Sequence, residues 1–218
     1  MNLHHMDLLN KHKRMRLLIL ILLFPIAILV IKNTSLDEKL IINKSFSQTE
    51  KAKEALDYCQ TQDYNTDFCI LVDMRIHSGK DRMFIWDFNN SSINQSGLCS
   101  HGCGESPHSG DETKTAPIFS NKPDSHLSSL GKYKIGKRGY SNWGINVNYK
   151  LHGLEASNKN AYDRLIVLHS WESVSNTSVY PSGTPEGWGC PAVSNDMMKI
   201  LDKKLKSTTK PVLLWVYN

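Results

Sequence analysis

An uninterrupted apolar run near the amino terminus constrains this chain more than any other feature of its sequence. Residues Leu17 to Ile31 are all apolar, and the basic cluster Lys11–Arg16 lies directly before them. At about 1.5 Å per residue, a helix over this run would cover roughly 22 Å, which is shorter than the roughly 30 Å hydrocarbon core of a bilayer. The length suits the hydrophobic part of a signal peptide or a short membrane anchor.

The residues after this run favour an anchor that is not cleaved. Lys32–Ser35 offer no small-x-small cleavage site, and the first cysteine, Cys59, is too distant for lipid attachment. Clusters of Lys and Arg resist translocation, so the basic residues 1–16 are expected to stay in the cytoplasm. We therefore expect residues 17–31 to form a membrane-spanning or signal segment, with the rest of the chain exported.

The excess of positive charge is confined to the same end of the chain. The 218 residues carry a net charge of +5, and the first 32 hold five Lys or Arg against one Asp, which is +4 of that total. The remainder is close to +1 and lacks the broad basic face with which proteins neutralise many phosphates. The charge pattern therefore argues against a nucleic-acid partner.

The rest of the chain has the size of one domain and the pattern of a mainly β fold with a few short helices. Residues 32–48 are polar and are predicted to form a tether, followed by a single domain over 49–218. A helix is predicted from Thr49, where small apolar residues recur at helical spacing. A second helix is predicted over Asn195–Lys206. Two strands, Phe68–Asp73 and Met83–Asp87, are predicted to form a hairpin. Further strands are predicted over Tyr149–Leu151, Leu165–Leu168 and Val212–Tyr217.

The residues most suited to chemistry lie in the last third of the chain. His169 follows the apolar residues Leu165–Leu168, and Cys190 stands on a glycine-bounded turn 21 positions later. A neighbouring imidazole can take the proton of a thiol, and backbone N–H groups can stabilise an oxyanion. Gly189 would let the backbone approach a substrate closely. An inert buried thiol and a structural histidine are the alternative interpretation of this pair.

Five cysteines in an exported chain leave at least one thiol unpaired. Spacing suggests the pairs Cys59–Cys69 and Cys99–Cys103, with Cys190 left over, although all five could be free. Cys99 and Cys103 also belong, with His101 and His108, to a cluster that could hold zinc, but its spacing fits none of the usual zinc patterns. We therefore predict no metal and no cofactor.

Several ordered sequence blocks resemble the murein L,D-transpeptidase catalytic-domain family. The resemblance covers roughly Thr49 to Tyr217, and its specificity lies in the order of the blocks, since a lone Gly-Cys would be weak. The blocks are Val72-Asp73 ahead of Trp86-Asp87, Ser100-His-Gly102, Phe119-Ser-Asn121, Ser128-Ser-Leu-Gly-x-Tyr133, Leu151-His-Gly-Leu-Glu155, Asn158-Lys-Asn-Ala161 with Arg164, Ile166-Val-Leu-His169 and Trp188-Gly-Cys-Pro-Ala192.

The resemblance implies a β-rich catalytic domain in which a cysteine attacks peptidoglycan stem peptides. It assigns Cys190 as nucleophile, His169 as base and the Ser170 carbonyl as the group that orients the histidine. The oxyanion site is implied in the backbone N–H groups around Trp188, Gly189 and Cys190. His152, Gly153, Trp188 and Arg164 are implied to line the substrate cleft.

In this family the thiol attacks the carbonyl of the third stem residue and D-Ala leaves. An amine acceptor then gives a 3-3 cross-link, whereas water would give L,D-carboxypeptidase activity. The implied location is the periplasmic or extracellular face of the bacterial inner membrane. A non-catalytic peptidoglycan-binding domain is a third possibility, disfavoured because Cys190 and His169 are both present. The chain departs from the family at Gly187, at Trp188 and in a long insert, Trp171–Glu186.

Overall fold

The computed structural model describes residues 48–106, 110 and 112–218. The predicted cytoplasmic segment 1–16, the apolar segment 17–31 and the tether up to residue 47 lie outside the described residues. Within the described part, no helix is both long and apolar enough to cross a membrane. Residues 49–218 form one unit, and its first helix, α1, is described over residues 48–61.

The fold is mainly β, as predicted, and is built on one eight-stranded sheet in the order β3-β2-β1-β8-β4-β5-β6-β7. Two neighbouring pairs are parallel, β1 with β8 and β6 with β7, and the other pairs are antiparallel. The strands are β1 Phe68–Asp73, β2 Met83–Asp87, β3 Ser92–Gly97, β4 Gly131–Tyr140, β5 Val147–Gly153, β6 Val167–Ser170, β7 Ala192–Val193 and β8 Leu213–Tyr217, and helix α2 spans Asn195–Lys206 between β7 and β8.

The central strands are buried on both faces because a helix packs on each side of the sheet. Alternate residues of β1 enter different cores, with Ile70 and Val72 on the face that receives α2, and Leu71 on the face that receives α1. Helix α2 buries Met197, Met198, Leu201 and Leu205. Burial on both faces explains why β1 and β8 are continuous apolar runs that sequence reasoning could find.

Three strands were not predicted, because their sequences carry little apolar signal. β3 is polar and exposed along most of its length, and β7 has only two residues. β4 alternates Tyr133 and Ile135 with lysines and glycines, and the register of its pairing with β5 shifts after Ile135. β4 is nevertheless central, since it joins β8 to β5.

The position predicted for β6 was wrong by two residues. Leu165 is 66% exposed, has a φ of +57° and ends a turn in which its amide donates to the carbonyl of Tyr162. A left-handed residue cannot continue a strand, so β6 begins at Val167 and contains His169. β5 is longer than predicted, β8 begins one residue later than predicted, and β1, β2 and α2 have the predicted bounds.

The cysteine pairs considered from spacing are not formed, and all five thiols are free. The thiols of Cys99 and Cys103 donate to different backbone carbonyls, those of Ser100 and Gly104. Burial raises the pKa of Cys99 to about 11.

Candidate active site

Strands β6 and β7 bring the predicted nucleophile and base to the same cavity. In β6, Leu168 and Ser170 are buried, whereas Val167 and His169 point to the opposite side. β7 runs parallel to β6 with Ala192 beside His169, so Cys190 lies two residues before this pairing. The cavity encloses about 320 Å³ and is lined by Ser100, Ser141, Trp143, Val167, His169, Trp171, Gly187, Trp188, Cys190 and Ala192.

The Cys190 thiol is held against the start of β6. Its sulfur accepts a hydrogen bond from the Val167 amide, with 3.4 Å between N and Sγ. The S–H group points to the Leu165 carbonyl oxygen, which lies 3.9 Å from Sγ. Burial of the sulfur raises the pKa of the Cys190 thiol above its ordinary value, although part of the residue reaches solvent. The Val167 amide and the charges of Arg164 and Lys150 oppose this rise. The resting thiol is therefore protonated at neutral pH.

The His169 imidazole is oriented by its own strand. Nδ1 donates to the Ser170 carbonyl oxygen at 2.9 Å, and because a carbonyl can only accept, the proton must be on Nδ1. Nε2 then carries the free lone pair that a base requires. Burial lowers the pKa of His169, opposed by the Ser170 carbonyl and the charge of Glu172, so the ring is neutral at neutral pH.

Gly189 is required by the loop itself, which differs from the reason that the sequence suggested. Its φ is +95°, and a Cβ there would lie 2.5 Å from the carbonyl oxygen of Leu127. A Cβ at Gly187 would meet nothing within 4 Å, so this departure from the family pattern has no steric cause. In the described part of the chain, neither the Gly189 nor the Cys190 amide donates to a protein acceptor.

Trp188 borders three neighbouring cavities. The residue is 61% exposed, and its ring stacks on that of His126, with ring centroids 4.9 Å apart. It lines the cavity that holds Cys190 and also two neighbouring clefts of about 820 and 460 Å³. The smaller cleft contains Asp124, Asp163 and Leu165 beside Trp188.

Two residues expected in the substrate cleft, His152 and Gly153, do not line the Cys190 cavity. The His152 ring stacks on Tyr162 at 4.7 Å, and burial followed by the charge of Lys134 lowers its pKa. A Cβ at Gly153 would overlap the carbonyl oxygen of Asn158. Close packing therefore accounts for this glycine.

Arg164 lines the neighbouring cleft of about 460 Å³ but not the Cys190 cavity. Its Nη1 donates to Ser120 O and Ser129 Oγ, and its Nη2 donates to Ser125 Oγ and Leu127 O, at 2.6–3.2 Å. Four hydrogen bonds to one segment leave this guanidinium committed to the cleft wall. Because the same Leu127 carbonyl packs against Gly189, Arg164 supports the loop that carries Cys190.

Sequence reasoning missed an aromatic wall, formed by two tryptophans, in the cavity that holds Cys190 and His169. Trp143 and Trp171 line the cavity, with their ring centroids 6.1 Å apart and edge to face. They lie on loops after β4 and β6, where period-based patterns give no signal. The sign available in the sequence was a tryptophan within a polar loop segment.

His101 is not available as a ligand for the zinc site considered from the sequence. Its Nδ1 contacts Arg82 and its Nε2 contacts Thr113. His108 lies outside the described residues. Among those described, no group of three or more metal-ligating side chains is close enough to hold an ion.

A cysteine on a glycine turn, a neutral histidine held through Nδ1 and two amides with no acceptor among the described residues are features that a thiol-dependent acyl transfer requires. The chain matches the L,D-transpeptidase catalytic domain family over residues 41–217 and belongs to that family. No curated protein matches the chain significantly.

Solved structures show more distant similarity. The L,D-transpeptidase from Xylanimonas cellulosilytica is 12% identical with a TM-score of 0.40, over 69% of this chain and 60% of that one. Bd1075 of Bdellovibrio bacteriovorus is 18% identical (TM-score 0.41), and the cell-shape-determining protein Pgp2 of Campylobacter jejuni is 11% identical (TM-score 0.43), each over 71% of this chain and 49% of theirs. The chain thus spans about half to three fifths of their length.

Proposed function

We propose that this domain is a cysteine-dependent L,D-transpeptidase that forms 3-3 cross-links between peptidoglycan stem peptides. Family membership supports the reaction class. The observation that carries the proposal is that Cys190 and His169 line one cavity, with His169 Nδ1 bonded to the Ser170 carbonyl. That bond leaves Nε2 as the only ring nitrogen able to accept the thiol proton.

In the first half-reaction, the Cys190 proton moves to His169 Nε2, directly or through one water, while the sulfur attacks the carbonyl carbon of the third stem residue. The negative charge on the carbonyl oxygen is taken by the amides of Gly189 and Cys190. The C–N bond to the terminal D-Ala then breaks, and His169 returns the proton to the leaving amine. A thioester on Cys190 remains.

In the second half-reaction, an amine of another stem attacks the thioester and the Cys190 sulfur leaves. The proton lost by the amine passes through His169 to the sulfur, which restores the resting state. The two clefts that meet the Cys190 cavity at Trp188 offer room for a donor and an acceptor peptide. This favours transfer to an amine over hydrolysis by water, which would make the enzyme an L,D-carboxypeptidase.

The Cys190 thiol and the His169 imidazole are both neutral at rest, and this bears on when the proton is transferred. The thiol has a raised pKa and the imidazole a lowered one, so a preformed thiolate–imidazolium pair is disfavoured. Proton transfer therefore accompanies the approach of the carbonyl. His169 acts as a general base at the moment of attack.

The proposed substrate lies outside the cytoplasm, so the proposal includes export, with residues 17–31 as the membrane anchor. It includes no cofactor and no nucleic-acid partner. Arg164 is assigned to the wall of the cleft, Trp188 to substrate contact, and His152 with Gly153 to the more distant packing around β5.

The test is to incubate the full-length protein, purified in detergent, with disaccharide-tetrapeptide muropeptides and to separate the products by mass spectrometry. We expect loss of one D-Ala with formation of dimers, and neither product with Cys190→Ser. Tripeptide without dimers would establish the carboxypeptidase instead. Unchanged muropeptide that is retained on the protein would favour the non-catalytic binding domain.

A further inference from the structure

A chain of buried polar side chains lies behind the loop that carries Cys190. It consists of Arg82, His101, Thr113 and Glu186, of which all but Thr113 are completely buried. Arg82 Nη2 is 2.7 Å from His101 Nδ1, and His101 Nε2 is 2.8 Å from Thr113 Oγ1. Thr113 donates from both its amide and its hydroxyl to Glu186 Oε1, each at 2.7 Å.

The direction of every hydrogen bond in this chain is fixed. A guanidinium only donates, so His101 Nδ1 accepts and the imidazole proton is on Nε2. That proton faces Thr113 Oγ1 and, at 3.3 Å, Glu186 Oε1, and the Thr113 hydroxyl donates its own proton to the same carboxylate oxygen. Burial and the charge of Arg82 lower the pKa of His101 to about 3, which keeps the ring neutral between the guanidinium and the carboxylate.

The backbone that starts at His101 holds the main chain of the Cys190 loop. The amide of Gly187, which follows Glu186, donates to the His101 carbonyl at 2.8 Å, and the amide of Cys103 donates to the Gly187 carbonyl at 2.7 Å. Further along, Ser128 Oγ accepts from the Gly102 amide and donates to the Gly189 carbonyl, both at 3.1 Å. The segment 101–103 therefore supports the loop at two points.

Two opposite charges buried in the interior are costly unless each is bonded, and removing one partner leaves the other uncompensated. Arg82 and Glu186 Oε1 are both bonded in this way, whereas Glu186 Oε2 is buried without a partner among the described residues, and Glu186 directly precedes Gly187 of the loop. We propose that Arg82, His101, Thr113 and Glu186 form a positioning network that fixes the Cys190 sulfur against the Val167 amide. This inference rests on the proposed function only in taking Cys190 as the reacting thiol.

The network is tested with Glu186→Gln, which removes the charge without changing the shape, and with the milder Thr113→Val, which removes only the hydroxyl link. Thr113→Ser restores the hydroxyl and should behave as the wild type. The first measurement is the rate at which iodoacetamide alkylates Cys190 at pH 7, followed on the Cys190 peptide by mass spectrometry. If the sulfur loses the Val167 amide, its thiolate is less stable, and the rate should fall at least about threefold in both variants.

The second measurement is acylation of Cys190 by a stem tetrapeptide, counted per alkylatable thiol. A displaced nucleophile should lower kcat about 10-fold or more while KM changes little. Asp202→Asn is the matched control, because Asp202 is also a buried carboxylate with an arginine partner, Arg138, but it lies on α2 away from the cavity. It should lower the melting temperature and leave both rates unchanged.

Unchanged or faster alkylation in Thr113→Val and Glu186→Gln would overturn the inference, as would an equal fall in Asp202→Asn. If Glu186→Gln does not fold, the contrast between Thr113→Val and Thr113→Ser decides. Alkylation needs no peptide substrate. Suppose that alkylation slows in Thr113→Val and Glu186→Gln as expected, but that a stem tetrapeptide never acylates the wild-type protein. This result would refute the proposed function and leave the positioning network standing.

Discussion

At the scale of single residues, Cys190 and His169 both lie in surroundings that favour the neutral form of the side chain. Burial raises the pKa of Cys190 and lowers that of His169, so both are uncharged at neutral pH. The Ser170 carbonyl fixes the histidine tautomer, and the Val167 amide offers the sulfur a hydrogen bond that becomes stronger as negative charge develops. In the proposed mechanism, the thiolate–imidazolium pair therefore forms only during the attack.

This arrangement predicts the pH dependence of acylation. His169 must be neutral to act as base, and its pKa is below the ordinary 6.5. The rate should therefore fall only as the pH drops through a midpoint below 6.5. His169→Ala should lose that acidic limb and about 10²- to 10⁴-fold of kcat/KM, measured as thioester formation with a tetrapeptide from pH 4 to 9.

His152→Ala is the control for the base. Its ring stacks on Tyr162 outside the Cys190 cavity, so the acidic limb should persist in this variant. An acidic limb that disappears in His152→Ala and survives in His169→Ala would show that the two histidines have been assigned backwards.

The two glycines of the loop give a matched pair of substitutions. Gly189→Ala places a Cβ against the Leu127 carbonyl at a positive φ, which should cost about 1–3 kcal/mol of unfolding free energy and slow acylation. Gly187→Ala meets open space and should be nearly neutral in both respects. Thermal melts and acylation rates of the two variants check this, and an equal loss in both would contradict the loop geometry.

At the scale of elements, the sequence predicts those whose burial produces a regular pattern. β1 and β8 are apolar on both faces, and α2 has Ser194 as its cap, with the serine Oγ accepting from the Met197 amide. The bounds of β6 depend on a left-handed Leu165, which no periodicity reveals. Residue type and spacing single out Cys190 and His169 as candidates, whereas the Trp143–Trp171 wall depends on loops whose course is set by tertiary packing.

Besides its apolar packing, helix α2 contacts the sheet through the carboxylate of Asp202. Asp202 accepts from Arg138 on β4 and from the Tyr149 hydroxyl on β5, each at 2.7 Å, and the Arg138 hydrogen bond is the main cause of its lowered pKa. Asp202→Asn should therefore lower the unfolding free energy by about 1–2 kcal/mol at pH 7, given a partly exposed arginine partner.

The sign of this effect with pH follows from the lowered pKa. The stabilisation is complete above the unfolded value of about 3.9 and is lost as the pH falls through the folded value. The difference between wild type and Asp202→Asn, measured by urea unfolding, should shrink between pH 5 and pH 2. A difference that stays constant over this range would show that Asp202 acts through packing alone.

At the scale of the whole molecule, one sheet carries both the structural core and the site. β1, β8, β4 and β5 form its centre, and near one edge β6 carries His169 while Cys190 lies just before β7. Mainly β architecture and family membership could be predicted because long ordered blocks of sequence correspond to the central strands and to the site. The network behind Cys190 could not, because Arg82 and Glu186 are 104 positions apart and meet only in the folded chain.

The location of the domain is a prediction for the whole chain. The basic residues before Leu17 should keep the amino terminus in the cytoplasm and place residues from Lys32 onward outside. Alkaline phosphatase fused after Asn218 should be active in cells, whereas a cytoplasm-dependent fluorescent reporter at the same site should be dark. The opposite pattern would separate the enzyme from its proposed substrate.

In the proposed reaction, Cys190 forms a thioester with a stem peptide. The most direct measurement is mass spectrometry of the full-length protein, quenched in acid after mixing with a tetrapeptide donor without acceptor. We predict an adduct equal to the donor minus D-Ala on the Cys190 peptide, and none on Cys59, Cys69, Cys99 or Cys103. Release of D-Ala by Cys190→Ser, or an acyl group on any other cysteine, would contradict the account.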